Sequence, residues 1–136
     1  MDEKAKALAD FFGGEWTPAV ESNCMETYEN EDGEEYAVGT EAEADKACLE
    51  YIEESCHYFL PHFLSEQTGL PVEVYEALSD CDGKGGWEAV KALIDSTCGM
   101  EDFAEAAVQA DGRGHFLAFY DGKEVELDGF YAYRVN

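Results

Sequence analysis

Positive charge is scarce in this sequence: eight Lys and Arg stand against 32 Asp and Glu, for a formal net charge of −24. Nucleic acids and anionic membranes are bound through Lys and Arg, so this scarcity argues against either as a direct partner. Self-repulsion at this charge destabilises the compact state. The balance therefore favours a strongly basic partner over a salt-adapted surface, because Cys and large aromatic residues are frequent and Glu outnumbers Asp.

Long apolar runs and closely spaced cysteines are also missing. No run approaches the roughly 18 apolar residues of a membrane span, and the charged, helical start at Met1–Phe12 does not read as a secretion signal. No CxxC pair occurs, and the count of five cysteines is odd. We therefore expect a cytoplasmic protein with reduced thiols and without a zinc site or another cofactor. The cysteines are Cys24, Cys48, Cys56, Cys81 and Cys98.

Most catalytic signatures are absent as well. The chain has no phosphate-binding loop, no dinucleotide fingerprint and no nucleophile elbow. The segment from Asp80 to Gly85 has a faint likeness to a calcium loop. Lys84 and Lys91 occupy positions where that loop needs oxygen ligands, so we interpret residues 82–86 as a flexible loop. These absences predict a protein that is not an enzyme.

One cluster leaves an enzymatic alternative open. Arg113, His115 and Asp121 together are able to form a general acid–base site, or part of a metal-dependent one. The structural interpretation is that Gly112 and Gly114 turn the chain. Arg113 then pairs with nearby carboxylates, and His115 starts a strand.

Among the features that are present, Thr40–Phe59 is the most regular, and it predicts one long amphipathic helix. Thr40 and Glu43 form a capping box. The apolar positions recur at helical spacing on one side of the helix: Ala44, Cys48, Tyr51, Ile52, Ser55 and Phe59.

The remaining pattern predicts an α+β fold in a single domain, 1–136, with about five helices packed on a small antiparallel sheet. Besides the long helix, helical spacing occurs at 2–12, 61–67, 71–80, 87–98 and 101–110. Strands are predicted at 34–39, 115–120, 124–127 and 130–135, and the last of these is expected to pair with the first. Residues 15–33 are predicted to form an acidic loop or loose hairpin arm.

The carboxylates of the arm and of the long helix are the candidate binding surface. Glu50 and Glu54 lie one turn apart, a rise of about 6 Å, which is comparable with the spacing of successive phosphates on a nucleic-acid strand. We expect three tyrosines to serve as aromatic anchors: Tyr28, Tyr36 and Tyr58. The candidate acidic residues are Glu26, Glu29, Glu31, Asp32, Glu43, Glu50, Glu53 and Glu54.

Several short segments carry a family likeness. They are Ala110–Leu117 (ADGRGHFL), Tyr120–Glu124 (YDGKE), Tyr131–Arg134 (YAYR) followed by Asn136, Glu35–Thr40 (EYAVGT), Glu43–Asp45, Glu50–Glu53 and Phe59–Thr68. Together they resemble a family of small acidic bacteriophage proteins, over residues 34–136. The resemblance implies a phage origin and the host cell cytoplasm as the location, and it carries no activity with it.

By analogy in size and charge, this class includes DNA mimics that block restriction or CRISPR machinery. The favoured hypothesis is therefore a non-enzymatic inhibitor that binds a basic nucleic-acid-binding host protein. Modulation of another basic host protein, such as a polymerase or a nucleoid protein, is a second alternative beside the enzymatic one. The sequence does not separate this alternative from the first.

Overall fold

The structure, a computed structural model, describes residues 2–19, 25–80 and 84–136. Within these residues the chain forms seven α-helices and one five-stranded antiparallel sheet, so the predicted α+β class is confirmed. The backbone divides into two compact units. Unit 1 comprises Met1–Cys48 with Asp111–Asn136, and unit 2 comprises Leu49–Ala110. That they form a single domain stays a prediction.

The elements follow one another from α1 to β5, with a short 3₁₀ turn after α2. In chain order they are α1 (Glu3–Phe12), β1 (Trp16–Pro18), β2 (Glu26–Asn30), β3 (Glu35–Gly39), α2 (Glu41–Ser55), the 3₁₀ turn (Cys56–Tyr58), α3 (Pro61–Thr68), α4 (Val72–Ser79), α5 (Lys84–Ser96), α6 (Met100–Asp111), α7 (Arg113–Leu117), β4 (Val125–Glu126) and β5 (Tyr131–Arg134).

Unit 1 is built on the sheet, whose strand order is β1-β2-β3-β5-β4. Strand β5 pairs antiparallel with β3, with Val38 opposite Ala132, which confirms the predicted pairing of these two segments. Asp2 caps the beginning of helix α1, and its side chain accepts a hydrogen bond from the Lys4 amide at 2.8 Å. Gly13 caps the end of the helix. Its apolar side shares one hydrophobic core with the sheet: Ala5, Ala7, Leu8, Trp16, Tyr28, Tyr36, Val38, Leu127 and Ala132.

The segment predicted as a loose acidic arm is in large part a regular hairpin within this sheet. Strands β1 and β2 pair antiparallel, with Trp16 opposite Asn30. Tyr28 in β2 is fully buried, so the hairpin is anchored by the core rather than projecting from it. Residues 20–24 of the predicted arm lie outside the described residues.

Helix α2 begins as predicted and ends earlier than predicted. The capping box is present: Thr40 N donates to Glu43 Oε1 at 2.9 Å, and Glu43 N donates to Thr40 Oγ1 at 3.2 Å. The helix ends at Ser55 and tightens into the 3₁₀ turn, instead of continuing to Phe59. Pro61 acts only later in the chain: Leu60, directly before it, is extended at φ −61° and ψ 139°, since the α region is disfavoured for the residue that precedes a proline.

Unit 2 is helical, and its core contains a ring cluster and several buried side chains. The rings of Phe59, Phe63 and Phe103 meet with centroids 5.1–5.6 Å apart.

Helix α5 begins at Lys84 rather than Trp87, so the predicted flexible loop over 82–86 is wrong from Lys84 onward. Residues 82 and 83 of the predicted loop, and Cys81 before them, lie outside the described residues.

The predicted strand at 115–120 is wrong, because the segment forms the short helix α7. Gly112, at φ +86°, ends the preceding helix, and Ala118 N then donates to Gly114 O at 2.9 Å. Phe116, Leu117 and Ala118, at the end of this segment, are all buried.

Candidate interaction surface

The hairpin turn between β2 and β3 presents two of the predicted acidic residues to solvent. Asn30 Oδ1 accepts hydrogen bonds from the amides of Asp32 and Glu34, both at 3.0 Å. Gly33 supplies the positive φ, +81°, that a three-residue hairpin loop requires. The side chains of Glu31 and Asp32 therefore stand on an ordered turn, and both residues are exposed.

Beside this turn, an arginine of β5 lies between a carboxylate and an aromatic ring. Arg134 Nη1 lies 3.4 Å from Glu34 Oε2. The Arg134 guanidinium lies 3.8 Å from the centroid of the Tyr120 ring, within cation–π range. Tyr120 is 60% exposed, so this pairing forms part of the surface of unit 1.

A groove of about 290 Å³ lies between the end of α1 and the hairpin turn. Its aromatic wall belongs to a packed cluster, in which the Phe12 ring centroid is 5.8 Å from that of Trp16 and 4.8 Å from that of Tyr36. The groove thus combines ring surface with carboxylates inside a single unit. Its lining residues are Phe12, Gly13, Gly14, Glu15, Trp16, Asn30, Glu31, Asp32 and Glu34.

Of the candidate acids on β2, Glu29 faces solvent, whereas the carboxylate of Glu26, although 48% of its side chain is exposed, pairs with groups of unit 1. Glu26 Oε1 lies 3.2 Å from Lys4 Nζ. The Tyr28 hydroxyl lies 2.8 Å from Glu26 Oε2 and 2.5 Å from Asp2 Oδ2. Burial and these carboxylates raise the pKa of Tyr28, and the Tyr28 hydrogen bond lowers the pKa of Asp2.

Glu43 is likewise used within unit 1. Besides capping α2, its carboxylate lies 3.3 Å from Lys4 Nζ. The hydrogen bond from the Thr40 amide, assisted by Lys4, holds the pKa of Glu43 below its ordinary value. The sequence predicted the capping role of Glu43 but not its pairing with Lys4. Both roles make Glu43 a weaker candidate for a partner contact.

The three candidate acids in the second half of α2 belong to unit 2 and differ in exposure. Glu54 is exposed and Glu50 is half-buried. Glu53 Oε1 lies 3.9 Å from Lys91 Nζ, while Lys91 forms a closer pair with Asp95 at 2.9 Å. Because the Glu53 side chain is still 43% exposed, it remains available to a partner.

Two of the three predicted aromatic anchors are wrong. Tyr28 is 0% exposed and Tyr36 is 7% exposed, since both point into the core shared with α1. Tyr58 is exposed, in unit 2. The rings that unit 1 exposes are others: Phe11, Phe12, Phe119 and Tyr120. Adjacent phenylalanines at the end of an amphipathic helix were the available signal, because one buried stripe rarely accommodates two neighbours.

Arg113, the centre of the enzymatic alternative, is held in an ion-pair network of unit 1. It pairs with Asp45 at 3.0 Å and with Glu124 at 2.8 Å, and its guanidinium lies 4.6 Å from the Tyr131 ring centroid. Tyr133 also donates a hydrogen bond to Glu124.

His115 and Asp121, the other two residues of the enzymatic alternative, are not part of the Arg113 ion-pair network. His115 is exposed on α7, and Asp121 accepts a hydrogen bond from the Lys123 amide. Among the described residues, no hydrogen bond or ion pair joins Arg113 to either of them.

Of the seven Lys and Arg side chains that the structure describes, four are paired with carboxylates. Both arginines and two of the lysines have side chains at most 30% exposed and paired with carboxylates: Lys4, Lys91, Arg113 and Arg134. Lys6, Lys46 and Lys123 face solvent. The exposed charge is therefore dominated by carboxylates even more than the composition indicates.

The described thiols form no disulfide. Cys48 and Cys56 are buried and Cys98 is half-buried, while Cys24 lies outside the described residues. Burial raises the pKa of Cys56 to about 11, so that buried thiol is poorly reactive at neutral pH. Within 2–19, 25–80 and 84–136, no three His, Cys, Asp or Glu side chains converge as metal ligands would.

Comparison with protein-family models, with curated proteins and with solved structures finds no match to this chain. Over the described residues, every helix is too short or too polar to cross a lipid bilayer. The phage-family resemblance therefore stays a prediction.

Proposed function

We propose that the protein is a non-enzymatic inhibitor that imitates duplex nucleic acid and occupies the basic groove of a host nucleic-acid-targeting defence protein. The target class is a CRISPR effector or a restriction enzyme, and the place of action is the host cell cytoplasm. The observation that carries the proposal is that four of the seven described cationic side chains are paired with carboxylates of the protein itself. This pairing leaves an exposed surface on which little positive charge offsets the carboxylates.

The mechanism is competition for Lys and Arg residues that otherwise hold phosphates. Long-range attraction between the acidic surface and a basic groove speeds association, and salt screens it. The carboxylates available for this differ in part from those expected. Glu26 and Glu43 bind Lys4 instead. The residues that support the proposal are Glu29, Glu31 and Asp32 in unit 1, and Glu50, Glu53 and Glu54 in unit 2.

The test is capture of partners from a host lysate on the immobilised protein at low and at high salt. We expect a basic nucleic-acid-binding protein to be retained at low salt, released at high salt and displaced by duplex DNA. Displacement by DNA is the decisive readout, because competition for one groove requires it. A partner that holds DNA and this protein at the same time contradicts mimicry, as does the absence of any salt-sensitive partner.

A pair of charge variants sharpens the assignment. Replacing Glu29, Glu31 and Asp32 by Lys reverses the charge on β2 and on the β2–β3 turn. The matched control replaces three exposed acids of α3 and α4 by Lys and changes the net charge equally: Glu66, Glu73 and Glu76. We expect the hairpin variant to lose the partner and the control to retain most of the binding. The identity of the captured partner then separates a defence protein from a polymerase or nucleoid protein.

A further inference from the structure

We propose that the groove between α1 and the β2–β3 turn receives an arginine side chain of the target protein. This inference rests on the proposed function and adds to it the chemical group that is recognised. The negative potential of the whole surface attracts any cation, whereas this groove offers a defined site for a planar guanidinium group.

The groove presents carboxylates that no cation among the described side chains neutralises. Glu15, Glu31 and Asp32 line it, and within the described residues none of the three forms an ion pair. Glu34, on the same wall, already pairs with Arg134 at 3.4 Å. An incoming guanidinium therefore meets acceptors that are in place on an ordered turn.

The groove is also lined by two aromatic side chains, Phe12 and Trp16. Phe12 is 39% exposed, so its ring is open to a ligand, while Trp16 behind it is buried. The Trp16 indole N–H already donates to Gly13 O at 3.0 Å, which fixes the ring and leaves it as a wall rather than a donor. A cation that enters meets both ring surface and carboxylates.

The protein holds its own two arginines in settings of the same composition. Arg134 lies over Tyr120 at 3.8 Å and pairs with Glu34. Arg113 lies over Tyr131 at 4.6 Å and pairs with Asp45 and Glu124. The groove repeats this combination of ring and carboxylate, with no Lys or Arg among its lining residues.

Arginine fits better than either lysine or a small molecule. Its guanidinium stacks on rings and binds carboxylates through two parallel hydrogen bonds, whereas an ammonium is a strongly hydrated point charge. A volume of about 290 Å³ lies at the lower limit of the roughly 300–1,000 Å³ of small-molecule sites. One side chain from a larger partner matches this size.

The test is a titration of the intact protein, followed by NMR, with Gly-Arg-Gly amide and with Gly-Lys-Gly amide at millimolar concentrations. Each unit contains one tryptophan, so the Trp16 indole N–H reports on the groove and the Trp87 indole N–H, bonded to Glu53 O at 2.8 Å, is the internal control. We expect the arginine peptide to shift the Trp16 signal, the lysine peptide to shift it less, and the Trp87 signal to stay. Equal effects of the two peptides, or equal shifts of the two indoles, overturn the inference.

The neutral variant Glu15→Gln/Glu31→Gln/Asp32→Asn is expected to weaken the arginine-peptide response about tenfold. Glu66→Gln/Glu73→Gln/Glu76→Gln removes the same charge elsewhere and is expected to leave the response nearly unchanged. A captured target that binds the groove variant as well as the unaltered protein overturns the groove and leaves the proposed function standing. If the arginine peptide gives the expected response but no partner is displaced by DNA, arginine binding in the groove is supported and the proposed function is contradicted.

Discussion

The side chain of Asn136 holds the backbone of Gly33 in the β2–β3 turn. Asn136 Nδ2 donates to Gly33 O at 2.7 Å, and its Oδ1 accepts from Glu35 N, also at 2.7 Å. One amide group thus satisfies two backbone groups on the two sides of the acidic residue Glu34. The turn that carries Glu31 and Asp32 is thereby held by a residue two positions after the end of β5.

Removing this brace by Asn136→Ala should loosen the turn. We expect the free energy of unfolding to fall by about 1 kcal/mol, since both bonds are exposed and net contributions of such bonds are small. Hydrogen exchange should accelerate at the Glu35 amide, with Val38 in the middle of β3 as the internal reference. If exchange at Glu35 is unchanged, Asn136 does not hold the turn. Asn136→Asp keeps the acceptor and loses the donor, so its free energy of unfolding should lie between those of Asn136→Ala and the unaltered protein.

The second prediction concerns Arg113 and His115. Arg113→Ala removes charged hydrogen bonds to Asp45 and Glu124 and leaves the Tyr133–Glu124 pair without its cation. We expect a loss of about 1.5–3 kcal/mol in the free energy of unfolding. His115→Ala, at an exposed position of α7, should change stability by less than about 0.5 kcal/mol. Denaturant unfolding measures both.

The same two variants test the enzymatic alternative. Under mimicry, partner binding by folded Arg113→Ala and His115→Ala protein should equal that of the unaltered chain. A His115→Ala variant that keeps its stability and loses function contradicts mimicry and supports an acid–base role.

Local signals in the sequence were sufficient for part of the fold. The capping box at Thr40 and Glu43 involves residues three apart, and the strand at Tyr131–Arg134 is rich in tyrosine, a residue that favours strands. Helix α7 was missed because its backbone is set from a distance. A Cβ on Gly114 would stand 2.6 Å from Gly122 O, so this close approach decides the local path.

The candidate site was predictable in charge and not in detail. Acidity follows from composition, but the use of Glu26 by Lys4 joins residues 22 apart, across an element boundary. The direction of Tyr28 depends on which face of the sheet α1 covers, and no pattern within β2 states this. In the sequence, an acid that pairs with a lysine of the protein therefore looks the same as an acid that faces solvent alone, because the difference depends on tertiary partners.

The third prediction is a dependence of stability on acid pH. The Tyr28 hydrogen bond lowers the pKa of Asp2, and the Thr40 amide lowers that of Glu43. A depressed native pKa contributes stability above the unfolded pKa, about 4, and this is lost as pH falls through the native value. We expect thermal stability of the unaltered protein to decline below about pH 4.

A variant pair isolates these two groups from the general charge effect. Asp2→Asn/Glu43→Gln should be less stable at pH 7 and should lose less on acidification, so the two melting curves converge towards pH 2. The surface variant Glu66→Gln/Glu73→Gln should follow the unaltered protein. Parallel curves for the Asp2→Asn/Glu43→Gln variant would show that these carboxylates contribute nothing specific.

The last prediction is that salt acts in opposite directions on folding and on binding. A net charge of −24 destabilises the compact state by self-repulsion, which salt screens. Raising NaCl from about 50 to about 500 mM should therefore stabilise the protein by about 1 kcal/mol, while the affinity for a basic partner falls about tenfold or more.

The comparison is informative because one physical quantity, the screening length, drives both changes. Glu66→Gln/Glu73→Gln/Glu76→Gln should reduce the salt dependence of folding and leave that of binding almost unchanged, since these acids lie outside the proposed contact. Glu15→Gln/Glu31→Gln/Asp32→Asn should reduce both. A partner whose affinity does not change with salt concentration is held by apolar contacts. In that case the exposed rings of Phe11 and Tyr120, rather than the carboxylates, form the interface.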